Sequence, residues 1–161
     1  MFRKTIKLVL ILLFFSCKSE NKLDTQTSSP KLILSEIIKS DSLNIIKFSS
    51  KSLKMIADWT PLISINSKIN KISIHSNDHV SIINSIKIDL EEIHKNNIPF
   101  PFNIPDVIGR IRVFKTYVYK MNSYEINIKN LESYGDDFNK MVDSYNALIG
   151  RINTISSETG N

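Results

Sequence analysis

The chain has 161 residues, a formal charge of +5, one cysteine and only four glycines. A single cysteine excludes a disulfide framework, and four scattered glycines exclude a phosphate-cradling loop, while the length suffices for one hydrophobic core without crosslinks or metal. The positive excess is concentrated at the start, where Arg3, Lys4 and Lys7 precede an apolar run from Leu8 to Phe15, followed by Ser16 and Cys17. A basic start, a short greasy core and a small residue are the parts of an export signal. Eight apolar residues fall well short of the ~20 that a membrane-spanning helix needs. If residues 1–16 are removed, the 21 basic residues lose three and become 18 against 16 acidic, a balance of +2. The basic composition thus belongs in part to the signal, and no nucleic-acid partner is expected.

The stretch Phe14-Phe15-Ser16-Cys17 resembles the lipobox of bacterial lipoproteins, with phenylalanine-bearing variants like those of Bacteroidota. The resemblance implies a signal peptide over residues 1–16, acylation of Cys17 with palmitate-type chains, and a membrane anchor in the bacterial cell envelope. The expected location is the outer membrane, periplasmic or surface-facing. An unpaired thiol is unusual in an oxidising compartment, which favours the acylated form. After the cysteine, residues 18–30 carry one large apolar side chain, Leu23, too little to offset the entropy of ordering. Residues 17–30 therefore read as a lipidated cysteine and a flexible tether, with a reach of about 20 Å.

From residue 31 to 161 the apolar residues recur at helical spacing, which predicts an all-α domain: an up-down bundle of about four helices. Residues 31–39 read as an added helical turn or two. Asp41 or Ser42 caps a first piece with Ile45, Phe48, Met55, Trp59, Leu62 and Ile69 on one side; Pro61 inside it implies a kink or a break into two helices. A second piece opens at Asn77 or Asp78 and runs through Val80, Ile83, Ile86, Leu90 and Ile93. Three prolines, Pro99, Pro101 and Pro105, fall within seven residues, and residues 97–104 with Phe100 and Phe102 are expected to cross one end extended, both rings plugging it. The third piece starts at Pro105 and Asp106 and continues Val107, Ile111, Phe114, Val118, Met121 and Ile128, with Glu125 in the remaining seam slot. The fourth starts near Gly135 and buries Phe138, Val142, Tyr145, Leu148 or Ile149, Ile152 and Ile155.

Few residues invite chemistry. His75 and His79, four apart with Asp78 beside the second, would share one face of a continuous helix and are the candidate metal ligands. Ser76-Asn77-Asp78 equally makes a turn and a cap. His94 stands near the end of the second helix, where the dipole favours a cation. Glu125 at a seam position pairs most simply with a base such as Lys140. Arg110 and Arg112 near the start of the third helix, with Arg151 brought close by an antiparallel fourth, are the candidate anion- or ligand-binding residues; solvated charges flanking a core position make the same pattern. No nucleophile elbow is present, Met55, Met121, Met141 and Trp59 suit core filling, and no cofactor is expected. The reading is a membrane-anchored envelope lipoprotein, not an enzyme, with a protein-binding or structural helical domain and another envelope protein as partner. The alternative is a small-ligand or metal-binding helical bundle.

Ile98 to Thr116, together with Ser144 to Ile149, is similar to small helical lipoproteins of Bacteroidota that carry no assigned activity. This resemblance covers about a third of the chain. It implies the compartment and a helical fold, and no catalytic residues.

Overall fold

The computed structural model describes residues 43–74 and 78–159. The lipobox, the tether, residues 31–39 and the caps expected at Asp41, Ser42 and Asn77 lie outside them. The described residues form five helices: α1 Ser50–Met55, α2 Thr60–Ile74, α3 His79–Glu91, α4 Pro105–Asn122 and α5 Leu131–Glu158. No strand occurs among the described residues. The four longer helices make an all-α, up-down bundle. α2 packs on α3, α3 on α4 and α4 on α5, while short α1 lies on α5. Two brief 3₁₀ turns, Lys95–Asn97 and Ile128–Asn130, punctuate the connections.

Pro61 divides the first apolar run as its chemistry requires. α1 ends at Met55, the backbone turns through Ile56 and Trp59 (Trp59 N to Ile56 O, 2.8 Å), and α2 restarts at Thr60. Pro61 then falls in a first helical turn, where its missing donor costs nothing. The core draws on every helix but α1: Leu62, Ile65, Ile69 and Ile72 from α2; Ile83, Ile86 and Leu90 from α3; Val107, Ile111, Phe114, Val118 and Met121 from α4; and a long stripe from Leu131 to Ile155 on α5. Spacing at steps of three and four places these on one face of each helix. Tyr145 ties two helices from within, its buried hydroxyl donating to Asn66 Oδ1 at 2.7 Å.

Residues 43–49 precede α1 as a non-helical strap on the surface of α5. Asn146 Oδ1 accepts from the Ile46 amide at 2.8 Å while its Nδ2 donates to the Asn44 carbonyl at 2.6 Å. One heptad on, Asn153 Oδ1 accepts from the Ser49 amide at 2.9 Å and its Nδ2 donates to the Lys47 carbonyl at 3.0 Å. The match is metric. Three extended residues advance about 10 Å, and seven helical residues about 10.5 Å. Each amide therefore reads the same two groups of a backbone running parallel to α5. Ser49 then caps α1, accepting from the Ser52 amide, and the Ser52 hydroxyl closes on Asn153 at 2.7 Å.

Five expectations are corrected. Ile45 and Phe48, expected in a helix opened by Asp41 or Ser42, lie in a non-helical segment, and the first helix starts only at Ser50 because Ser49 caps it. α4 stops at Asn122 rather than running through Ile128, and Glu125 and Ile128 are exposed. α5 begins at Leu131, so Gly135 sits inside the helix. α3 is rotated so that His79 is buried and Val80 is exposed. Of the two loop phenylalanines, Phe102 is fully buried and Phe100 is 89% exposed.

Candidate functional site

The arginines were expected at one end of the bundle, and two of the three meet. Pro105 and Asp106 open α4, and Asp106 serves both: Arg110 Nε bonds its Oδ1 at 2.9 Å, and Arg151 Nε from α5 lies 2.7 Å from its Oδ2. Arg110 Nη1 also reaches the Ala147 carbonyl at 3.3 Å. One carboxylate thus holds two guanidiniums and ties α4 to α5. Arg112 is exposed elsewhere, beside Lys115, Thr116 and Tyr119. An anion approaching Arg110 or Arg151 must compete with Asp106, a residue the sequence reading credited only with complementing the helix dipole.

The Asp106–Arg110 pair forms the lip of a shallow groove between α4 and α5 of about 340 Å3, with Pro105, Gly109, Val113 and Ala147 among its lining. Val113 is half exposed. A Cβ added at Gly109 would meet nothing within 4 Å, so the absent side chain is what opens the groove.

Near the N-terminal end of α5, buried Asp137 organises a second cluster. It accepts a short hydrogen bond from the Tyr124 hydroxyl, Lys120 Nζ lies at 2.7 Å and Lys140 Nζ at 3.6 Å. Lys140 therefore pairs within its own helix and not with Glu125, whose backbone carbonyl instead accepts from Asn127 and Asn130. Burial pushes the Asp137 carboxyl upward, but the hydrogen bonds from Lys120 and Tyr124, with the positive charge of Lys120 and Lys140, outweigh it and hold the group below the usual carboxylate range. The same contact raises Tyr124 and keeps its hydroxyl protonated.

Aromatic rings back this cluster: Tyr124 meets Tyr134 edge-on at 5.2 Å, and His79 meets Tyr134 at 5.8 Å and Phe138 at 6.4 Å. Burial pushes the Tyr134 phenol well above its ordinary value. The arrangement clamps the α4–α5 connection onto α5. Because the folded pKa of Asp137 is depressed, its contribution is complete above the unfolded value of about 3.9 and is lost as pH falls through the folded one. Acid titration of unfolding should therefore show a stability loss below about pH 4 that Asp137→Asn flattens; an unchanged acid limb in the variant would refute this assignment.

Of the two candidate metal ligands, only His79 is among the described residues. His75 lies outside the described residues, and the buried ring of His79 is packed against Tyr134 and Phe138. His94 is exposed and opens the 3₁₀ turn, its amide donating to Asn97 Oδ1 at 2.9 Å. Cys17 also lies outside the described residues. No helix among the described residues is long and apolar enough to cross a membrane. Sequence reasoning missed two features, the Asn146–Asn153 clamp and the exposed Phe100. The heptad spacing of the asparagines was a readable signal; the outward turn at Phe100 was not. No family model, curated protein or solved structure matches the chain.

Proposed function

We propose that this protein is a membrane-anchored lipoprotein of the bacterial cell envelope, acylated on Cys17, whose helical bundle serves as a non-enzymatic protein-binding or structural domain. The observation that carries the reading is the order of residues at the start: Arg3, Lys4 and Lys7, the apolar run Leu8–Phe15, then Ser16-Cys17. Acyl chains contribute about 0.8 kcal/mol per buried methylene, so two or more hold a protein that one would release. The bundle supports the binding role in one respect. Asp106 and Asp137 are engaged by basic side chains, and exposed apolar side chains such as Leu53, Val80, Ile88 and Phe100 are spread over its surface. These suit packing against another protein better than turnover of a substrate.

Intact mass spectrometry and membrane fractionation of wild type and Cys17→Ala test the anchor. The expected result is a mature wild-type chain starting at Cys17 with acyl mass added and held in the membrane fraction, and a variant that leaves it. Equal cleavage and equal solubility of the two would refute the reading.

A further inference from the structure

The two asparagines that hold the strap belong to a series of three. Asn139, Asn146 and Asn153 stand one heptad apart on α5, and positions so spaced drift only about 20° per heptad around a helix. Asn146 and Asn153 each read three consecutive residues of an extended backbone: Nδ2 donates to the carbonyl of the first, and Oδ1 accepts from the amide of the third. The residue between them turns inward. It is half-buried Ile45 at one station and buried Phe48 at the other. Asn139 carries the same amide, exposed and with no hydrogen-bond partner among the described residues.

Beside Asn139 lies a shallow recess of about 420 Å3, lined by Ile128 of the 3₁₀ turn and by Leu131, Glu132, Gly135 and Asp136 of α5. Ile128 offers an exposed apolar side chain, and Gly135 adds none to fill the space. The charges in the lining are both acidic. Neither Glu132 nor Asp136 forms an ion pair among the described residues, and Lys140, next to Asn139 in the chain, faces Asp137 at 3.6 Å. An extended segment at Asn139 therefore meets an amide for its backbone, an apolar wall for its middle residue and negative charge for a basic neighbour.

The chain's own continuation lacks this chemistry. The register of the strap assigns the Asp41 carbonyl and the Leu43 amide to Asn139, with Ser42 between them. Asp41 would bring a third carboxylate to Glu132 and Asp136, and like charges placed together select against a partner. Ser42 would face the recess where the other stations take Ile45 and Phe48. In keeping with this, the Leu43 amide makes no bond to Asn139. We propose that Asn139 and its recess bind an extended segment of another polypeptide, parallel to α5, with an apolar residue at its centre and a lysine or arginine adjoining it. The proposal rests on the protein-binding reading of the bundle and states what the partner presents; it does not depend on acylation of Cys17. One station offers two hydrogen bonds and one apolar contact, so an isolated segment should dissociate at about 1 mM.

The probe is an acetylated and amidated peptide with the strap's own sequence, Leu43 to Ser49, which carries Ile45, Ile46, Lys47 and Phe48. Titrated to about 5 mM into isotope-labelled residues 17–161 with Cys17→Ser, it should shift the amides of residues 128–139 and leave those of Ile46 and Ser49 in the protein unmoved. Asn139→Ala should weaken binding about 10-fold with an unchanged thermal melt. A peptide N-methylated at its Ile46 and Ser49 nitrogens should bind as weakly as that, although its side chains are intact, and replacing its lysine by glutamate should weaken it too. The proposal is overturned if residues 128–139 do not shift, or if the methylated peptide or Asn139→Ala binds as tightly as the originals, which would reduce the contact to apolar adhesion. Shifts at Ile46 and Ser49 instead would mean that the peptide exchanges with the strap; the station at Asn139 would fall while a protein-binding role for α5 stood. Slow hydrogen exchange at Leu43 that Asn139→Ala abolishes would overturn it as well, by seating the chain's own residues there.

Discussion

Phe102→Ala should lower the unfolding free energy by about 3–5 kcal/mol, whereas Phe100→Ala, two residues away, should change it by less than about 0.5 kcal/mol. The contrast follows from position alone. Phe102 is completely buried, with its ring stacked 6.3 Å from that of Trp59. Truncation removes the ring from the core and leaves a cavity under the α1–α2 turn that the surrounding loop, held at Ile98 and Ile104, fills only in part. Domains of this kind are stable by only 5–15 kcal/mol, so the loss is a large share of the whole. Trp59 is the only tryptophan and is itself buried, which gives a local probe. Its emission should shift to longer wavelength in Phe102→Ala before global unfolding and stay unchanged in Phe100→Ala. Similar urea midpoints for the two variants would sink the assignment of Phe102 as the plug.

These phenylalanines also show where a sequence stops being readable. An extended crossing would send residues 100 and 102 to the same side, which is the reason both were expected to plug the bundle. The turn closed by the Phe102 amide on the Pro99 carbonyl puts Phe100 at a corner instead, facing out. α4 repeats the lesson. Pro105, Asp106 and the five buried positions from Val107 to Met121 were legible because each follows from local chemistry and helical spacing. The extrapolation to Glu125 and Ile128 failed because Asn127 and Asn130 donate to the Glu125 carbonyl and form a competing turn. For α3 the spacing fixed the stripe Ile83, Ile86 and Leu90 but not the choice between His79 and Val80 at its start, which Tyr134 and Phe138 decide from about 55 residues away in the chain. The meeting of Arg110 with Arg151 was legible from antiparallel helices. The carboxylate between them depended on side-chain reach that spacing does not encode.

Asn153→Ala should cost about 2–3 kcal/mol, more than its position at the surface suggests, because one amide serves three groups. The Ser49 amide, the Lys47 carbonyl and the Ser52 hydroxyl all lose a partner, and Ser52 is fully buried at the N-terminus of α1. Asn146→Ala should cost less, about 1–2 kcal/mol, since it serves only the Ile46 amide and the Asn44 carbonyl, both open to water once released. The double variant should fall short of the sum. Once the strap lifts from α5 as a unit, water satisfies its backbone and the second substitution has little left to remove. Asn153→Asp divides the contribution further, keeping an acceptor for Ser49 and Ser52 while losing the donor to Lys47. Amide hydrogen exchange gives the decisive readout: Ile46 and Ser49 should be protected together in wild type, and both should exchange faster in Asn153→Ala while the α4 and α5 core amides keep their protection. Faster exchange at Ser49 alone would mean that the two asparagines act independently and that residues 43–49 are not a single strap.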